Sequence, residues 1–130
     1  MIARFLPMAL VLPVLAACLP QDTALPDDIP PAFQGRWGIN PADCDPTRAD
    51  AKGFLGIGPT MLTFYESRHR LERVTEARPD HLRASFAASG EGQTWDAEFL
   101  FDLQADGQTL IRRDVEGATV SDPLVYNRCT

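Results

Sequence analysis

The chain has 130 residues, of which 12 are Lys or Arg and 18 are Asp or Glu, and its formal net charge is −6. This acidic balance argues against a nucleic-acid partner and against adhesion to anionic headgroups through a basic patch. The length suits one domain rather than two.

The first seventeen residues have the layout of a secretory signal peptide. One basic residue, Arg4, precedes an apolar run at 5–17 that ends in small side chains. A charged start, a short apolar middle and a small-residue exit are typical of export signals. The run is shorter than the roughly 20 residues that a spanning helix needs, and Pro7 and Pro13 interrupt it. We therefore expect residues 1–17 to be a signal peptide and not a membrane helix.

The end of this run, LAAC at 15–18, resembles the lipobox of bacterial lipoproteins. In that family the cysteine becomes the first residue of the mature chain, so the resemblance implies acyl chains such as palmitate on Cys18. At about 0.8 kcal/mol per buried CH2, more than two chains give a permanent anchor. Leu19 stands where an aspartate often signals retention in the inner membrane. We expect anchoring in the outer membrane, facing the periplasm; the inner membrane, the cell surface and a plain secreted protein are the alternatives.

A tether is expected to follow the signal peptide, at residues 18–31. After Cys18 the text LPQDTALPDDIPP contains four prolines and three aspartates. Proline fixes φ and removes amide donors, so this segment is predicted to run extended as a semi-rigid spacer. A poorly ordered terminus without a role is the alternative. Residues 32–130 remain for a single domain.

Two further cysteines are expected to form a disulfide. If Cys18 carries lipid, Cys44 and Cys129 are an even pair in an oxidising compartment. The bridge would close a loop of about 85 residues, which the chain-entropy model values at roughly 4.5 kcal/mol. A free pair, a bridge to Cys18 and a metal site are the alternatives. With only two histidines, His69 and His81, the chain offers a poor zinc set, so we expect no metal.

Beyond Phe33, apolar and polar residues alternate with period two, and no segment of ten or more residues keeps a helical stripe. The clearest example is GQTWDAEFLFDL, which places Trp95, Phe99 and Phe101 on one face. Glycine, proline and aspartate mark the turns between such segments. We predict eight strands, at 33–39, 53–57, 60–67, 69–77, 80–89, 92–103, 108–115 and 119–128.

Turns this short make sequential strands antiparallel neighbours. A meander of eight strands closes most readily into an up-and-down barrel, because closure removes the exposed edges of an open sheet. The first and last strands are neighbours in such a barrel, and a bridge from Cys44 to Cys129 would join the loop at 41–52 to the last strand. The predicted fold class is therefore all-β, a small eight-stranded antiparallel barrel.

The segment FQGRW at 33–37 resembles the opening of lipocalin and related calycin barrels. In those folds a basic residue on the final strand often packs over the tryptophan, so the resemblance implies that Arg128 packs over Trp37. A small bacterial protease-inhibitor family shares this kind of barrel, with an early tryptophan and a disulfide, as an analogy of architecture. Trp37 and Trp95 are expected in the core, where aromatic rows would leave no large lipid cavity.

The run FYESRHR is the most unusual stretch, since aromatic, acidic and basic side chains adjoin. One interpretation makes Glu66 a general base near His69, or makes Tyr65 and His69 a recognition patch. The favoured interpretation turns Glu66 into the barrel end as the ion-pair partner of Arg112 or Arg128. An unpaired buried carboxylate is costly, and no nucleophile accompanies this one.

The remaining candidate residues do not predict catalysis. His69 and His81 are expected to be solvated strand residues without a metal. No serine has the glycine-flanked setting of a nucleophile, and no glycine-rich phosphate loop precedes a helix. Asp43, Asp45 and Asp50 share a loop that lacks the calcium pattern and are expected to be solvated or to cap turns. We expect no cofactor and no enzymatic activity.

The sequence thus predicts a non-catalytic, membrane-anchored periplasmic lipoprotein. The first functional hypothesis is a protein-binding or inhibitory module. An accessory lipoprotein of envelope assembly and a small-ligand carrier of calycin type are the alternatives. The expected partners are the lipid bilayer, through the acyl chains, and a periplasmic or envelope protein.

Overall fold

The computed structural model describes residues 11–14, 16–18, 24–104 and 106–130. Most of the predicted signal peptide and the part of the predicted tether at 19–23 lie outside these residues. Cys18 is exposed and takes no part in a disulfide. In the described ranges no helix is long and apolar enough to cross a bilayer.

Strands make up nearly all of the regular structure. Two short 3₁₀ helices, Pro31–Phe33 and Pro41–Cys44, flank the first strand. The strands are β1 Gly35–Gly38, β2 Phe54–Ile57, β3 Met61–Phe64, β4 Ser67–Arg78, β5 His81–Gly90, β6 Gln93–Leu103, β7 Thr109–Glu116, β8 Thr119–Val120 and β9 Leu124–Arg128.

The strands close into an eight-stranded antiparallel barrel, which confirms the predicted fold class and is compatible with a calycin-like fold. The order is β6-β5-β4-β3-β2-β1-β9-β7, and pairing of β6 with β7 completes the circle. The first and last strands are neighbours as predicted, with Trp37 opposite Arg128. The two-residue β8 pairs only with the end of β7.

The final predicted strand, 119–128, is wrong as a single element. The structure divides it into β8 and β9, separated by residues 121–123. Ser121 donates its backbone N–H to the Asp114 carbonyl at 2.9 Å, and Pro123 has no N–H to continue the ladder. The pairing with β7 is therefore interrupted at 121–123 and resumes at Leu124, where β9 begins.

One end of the barrel is filled with apolar side chains and is called the closed end below. Ile29, Phe33 and Trp37 are fully buried there. The Ile29 N–H donates to the Pro59 carbonyl at 2.7 Å, and the Trp37 indole Nε1 donates to the Phe33 carbonyl at 3.0 Å. Packing thus begins at Ile29, within the segment predicted as tether.

Arg128 holds the closed end together. Its guanidinium carbon lies 4.2 Å from the centre of the Trp37 ring, the packing that the calycin resemblance implies. Its Nη1 donates to the Gln34 carbonyl at 2.8 Å, and its Nη2 donates to the carbonyls of Ala32 at 3.0 Å and Gly107 at 3.2 Å. One side chain therefore ties β9 to the chain before β1 and to the loop between β6 and β7.

The glycine of the FQGRW segment makes room for this arrangement. Gly35 has φ 132°, a conformation that L side chains rarely adopt. A Cβ at this position would lie 2.8 Å from Nη1 of Arg128. The close approach of the guanidinium thus depends on the missing side chain.

The predicted disulfide is confirmed. Cys44 and Cys129 are bonded with their Cα atoms 5.4 Å apart, across a sequence separation of 85. The Cys129 N–H donates to the Arg36 carbonyl at 2.8 Å, which continues the pairing of β9 with β1. The bridge fastens the long loop at 39–53, whose Asp43 is buried and accepts the N–H of Gly53 at 3.2 Å.

Replacing the planar fork of Arg128 tests how much of the fold it supports. We expect Arg128→Lys to lower the free energy of unfolding by about 2 kcal/mol, because lysine keeps the charge but cannot reach three carbonyls from a stacked position. Urea unfolding followed by tryptophan fluorescence measures the difference. The exposed Arg70 supplies the control, Arg70→Lys, for which a change within about 0.5 kcal/mol is expected. Equal unfolding midpoints for the two variants would contradict the assignment.

Candidate functional site

The opposite end of the barrel, called the open end, carries the turns at 65–66, 91–92 and 117–118. A cavity of about 400 Å³ lies there and is called the cup. Alternation on β6 turns Trp95 and Phe99 inward, while Glu98 faces outward and pairs with Arg83. The lining of the cup includes Phe64, His69, Trp95, Phe99, Arg112 and Asp114.

Arg112 is the cation inside the cup, and its side chain is only 12% exposed. Its Nε donates to Oδ1 of Asp114 at 3.0 Å, and its Nη1 donates to the Tyr126 hydroxyl at 2.9 Å. Its guanidinium carbon lies 4.9 Å from the centre of the Phe64 ring and 5.1 Å from that of Phe99. A carboxylate and aromatic faces thus compensate a cation in the barrel interior.

The inward placement predicted for Glu66 is wrong. Glu66 is exposed in the turn between β3 and β4, with φ 64°, and pairs with neither Arg112 nor Arg128. The chain leaves the strand after Phe64, so the alternating row ends before it reaches position 66. The neighbouring Tyr65 lines the cup, and the Glu66 carboxylate raises the pKa of the Tyr65 hydroxyl.

The prediction that His69 is solvated is also wrong, because this residue is only 4% exposed. After the turn, β4 begins at Ser67, which places position 69 in the inner row. The His69 ring centre lies 4.8 Å from that of Phe64 and 5.7 Å from that of Trp95, both in edge-on geometry. Burial, and secondarily the Arg112 charge, lowers the pKa of His69.

One nitrogen of His69 is unsatisfied. Within the described residues, Nδ1 of His69 is the only buried side-chain nitrogen or oxygen without a hydrogen-bond partner. An unpaired buried polar atom costs about 1–3 kcal/mol, and buried polar groups are normally paired. The barrel therefore tolerates at this point a cost that a phenylalanine of similar shape would not bring.

His81 lies on the outer face of the barrel, apart from the cup, and its predicted solvation is wrong as well. Its side chain is 11% exposed and lies between two carboxylates, with Nδ1 2.7 Å from Oδ1 of Asp102 and Nε2 2.8 Å from Oε2 of Glu76. Burial disfavours the imidazolium, but the hydrogen bonds to Asp102 and Glu76 outweigh it and raise the pKa of His81. The two histidines thus have opposite protonation preferences.

The two tryptophans differ in their positions. Trp37 is fully buried as predicted, whereas the prediction of a core position for Trp95 is wrong, because Trp95 is 41% exposed. Trp95 belongs to the inner row of β6 but stands near the start of that strand, at the rim of the cup. An alternating pattern identifies the row of a residue and leaves open whether the barrel extends far enough to cover it.

The structure brings only some of the candidate residues together. Tyr65 lies at the cup and Glu66 in the adjoining turn, while Trp37 and Arg128 lie at the closed end. Sequence reasoning missed Arg112 and Asp114 as a pair, although both share a row of β7 with the buried Leu110. That shared row was a usable signal.

The cup supplies a cation, an imidazole and aromatic walls, which is the chemistry of a binding site. Across residues 24–104 and 106–130 and the short stretches before them, no three His, Cys, Asp or Glu side chains are placed to hold a metal ion. Comparisons with known proteins find no matching family model, no matching curated protein and no matching solved structure.

The lowered pKa of His69 makes its effect on stability depend on pH. Below about pH 6.5 the unfolded chain binds a proton that the folded barrel takes up less readily, so stability is lost as the pH falls. His81, with a raised pKa, adds stability below that pH and loses it as the pH rises through its folded pKa.

We expect His69→Phe to retain more stability than the wild type at acid pH. The difference between the two proteins should grow from pH 7.5 to pH 5.5, by at most about 1.4 kcal/mol per pH unit. Urea midpoints across this range measure it. The control His81→Gln should change in the opposite direction and lose most stability at acid pH. A constant difference between His69→Phe and the wild type would contradict the burial argument.

Proposed function

We propose that the chain is a lipid-anchored periplasmic protein that binds an envelope protein through the open end of its barrel, without catalysis. Anchoring rests on the LAAC segment at 15–18 and its resemblance to a lipobox. The observation that carries the binding proposal is that the N-terminal segment and the cup occupy opposite ends of the barrel.

The route of the chain supports this orientation. Packing begins at Ile29, at the closed end, and residues 19–28 separate it from Cys18. Ten extended residues reach about 35 Å, so an anchor on Cys18 would hold the closed end within that distance of the bilayer. The open end is then the part of the domain best placed to meet another protein.

The surface of the open end favours a partner with a basic patch. Glu66 and Glu91 stand in two neighbouring turns, and a hydrogen bond with Glu66 raises the pKa of the Glu91 carboxyl. Both adopt a left-handed conformation, with φ 64° and 50°. The exposed Trp95 follows the second turn; tryptophan is enriched at protein-binding surfaces, and complementary charge at such surfaces selects the partner. A cationic partner would stabilise the charges of these two neighbouring carboxyl groups.

If the protein is an inhibitor, the packing at the closed end restricts which segment could enter the cleft of an enzyme. Ile29 and Phe33 are fully buried, so a terminal segment free to enter an enzyme's cleft would have to end before residue 29. The turns of the open end carry no such restriction. We therefore assign recognition to the turns at 65–66 and 91–92 and not to the N-terminal segment.

The anchor is tested by Cys18→Ser. We expect the wild type to partition into the detergent phase of a Triton X-114 separation and its mature N-terminus to carry the mass of acyl chains, because the lipid is attached at Cys18. The Cys18→Ser variant should lack that mass. The Cys44→Ser/Cys129→Ser variant is the matched control and should keep it. A wild-type chain with an unmodified Cys18 would contradict the anchor.

Charge reversal tests the recognition surface. Cross-linking of the lipidated protein in detergent-solubilised envelopes should yield a partner band that Glu66→Lys/Glu91→Lys reduces at least tenfold, since the acids would then repel a basic patch. The exposed Asp27 and Asp80, towards the closed end, supply a control with the same charge change, Asp27→Lys/Asp80→Lys, which should keep the band. If both double variants behave alike, the open end is not the recognition surface.

A further inference from the structure

We propose that the cup binds a small apolar molecule whose oxygen head, a carboxylate or an amide carbonyl, accepts hydrogen bonds from Arg112 and His69. This is a second binding activity, and it does not depend on the anchor or on the protein partner. Two unsatisfied groups at the cup, the shape of its walls and the balance of its charges lead to it.

The first unsatisfied group is His69. Its ring lines the cup, the residue is 4% exposed, and Nδ1 has no hydrogen-bond partner among the described residues. A neutral imidazole carries a proton on one of its two nitrogens, so Nδ1–H is able to donate to an oxygen. Nδ1 is covered in the free protein, so the ring must rotate slightly towards the cup before a ligand oxygen supplies the partner that the protein does not.

The second group is the guanidinium of Arg112. Arginine has five N–H donors in a fixed fork, and Arg112 uses Nε on Asp114 and one N–H of Nη1 on Tyr126. Nη2 makes no hydrogen bond with the part of the chain that the structure describes, yet it is not among the buried unpaired atoms. It is therefore accessible, and the cup is the cavity that Arg112 lines. A planar oxygen head matches such a fork.

The walls of the cup fit an apolar body. Phe64 and Phe99 line its interior, and the half-exposed Trp95 stands at its rim. The volume of about 400 Å³ lies in the lower part of the range of small-molecule sites. One or two rings or a short branched chain would fill it, whereas a long acyl chain would not be enclosed.

The charges inside the cup select the head group. Arg112 and Asp114 offset one another, and the lowered pKa of His69 keeps the imidazole neutral. Glu98 belongs to the outer row and is paired with Arg83. Arg112 is the buried cation of the cup, and its accessible polar atoms include N–H groups; exposed side chains of both signs also line the cup, namely Lys52, Asp96 and Glu116. An ammonium head would meet that cation, while an oxygen acceptor would meet its donors.

Three probes with one body and three heads test the proposal: 3-phenylpropionate, 3-phenylpropanamide and 3-phenylpropylamine. Each is titrated by calorimetry into the full chain in detergent. We expect the carboxylate or the amide to bind with a Kd below about 1 mM and the amine at least tenfold more weakly. Arg112→Met, titrated in parallel, should lose at least tenfold in affinity for the oxygen heads, and it corrects for partition of the probes into micelles.

Removal of Arg112 also leaves Asp114 unpaired, so a second variant keeps the test independent of folding. Trp95→Ala removes an exposed rim side chain and should weaken the oxygen probes about fivefold, whereas Thr94→Ala, on the outer row of the same strand and outside the lining of the cup, should not. The side-chain ¹⁵N resonances of His69 should shift on binding. Equal binding of the amine, no binding of any probe, or unchanged affinity in both Arg112→Met and Trp95→Ala would overturn the proposal.

These outcomes are separate from those of the partner test. Substitutions at Glu66 and Glu91 leave Arg112, His69 and Trp95 in place, so loss of the protein partner and loss of the small ligand are distinguishable. The cup can fail as a ligand site while the open end still binds a protein, and the reverse also holds.

Discussion

The contact of Arg128 with Trp37 is the constraint on which the rest of the barrel depends. It joins the last strand to the chain that precedes the first, and the same guanidinium reaches the loop between β6 and β7. The disulfide between Cys44 and Cys129 lies next to it in sequence and adds a covalent link. The seam of the barrel is thus closed by stacking, hydrogen bonds and a covalent bond within the last three residues.

The polarity of the barrel interior differs between its two ends. Ile29, Phe33 and Trp37 occupy the interior near the seam, and the apolar core continues along the barrel as far as Phe86 and Phe99. Towards the open end the inner rows continue with Arg112 and His69, which are polar. The barrel interior therefore becomes partly polar towards the open end, and an apolar core and a cavity share one short barrel.

The architecture could be predicted from the sequence because the patterns that indicate it occur several times. Period-two alternation recurs in every long strand, and two cysteines remain once the first is assigned to lipid, so single errors did not alter the topology. The position of Arg128 over Trp37 was predicted from the resemblance to calycin barrels. That resemblance rests on a specific pattern of one glycine, one tryptophan and one cation on the final strand.

The error at Glu66 has its physical origin in the turn after Phe64. A strand predicted through residue 67 carried Glu66 into the inner row, whereas the real turn at 65–66 ends that row and restarts it at Ser67. A shift of one residue moves every following side chain to the other face of a strand. The same turn starts β4 at Ser67 and so places His69 in the inner row. The prediction of a core position for Trp95 was wrong for another reason. Its inner row was predicted correctly, but the local sequence does not indicate how far along the barrel axis the residue lies.

The uneven distribution of packing along the barrel also has a dynamic consequence. Amide protons near Trp37 lie behind the stacked Arg128 guanidinium and a covalent cross-link, so their exchange with solvent requires opening of the whole barrel. The tips of the β3–β4 and β5–β6 hairpins carry left-handed glutamates, a conformation that costs such residues roughly 1–2 kcal/mol, and they lack comparable cover. Breathing of the molecule would begin at these hairpin tips and leave the seam intact.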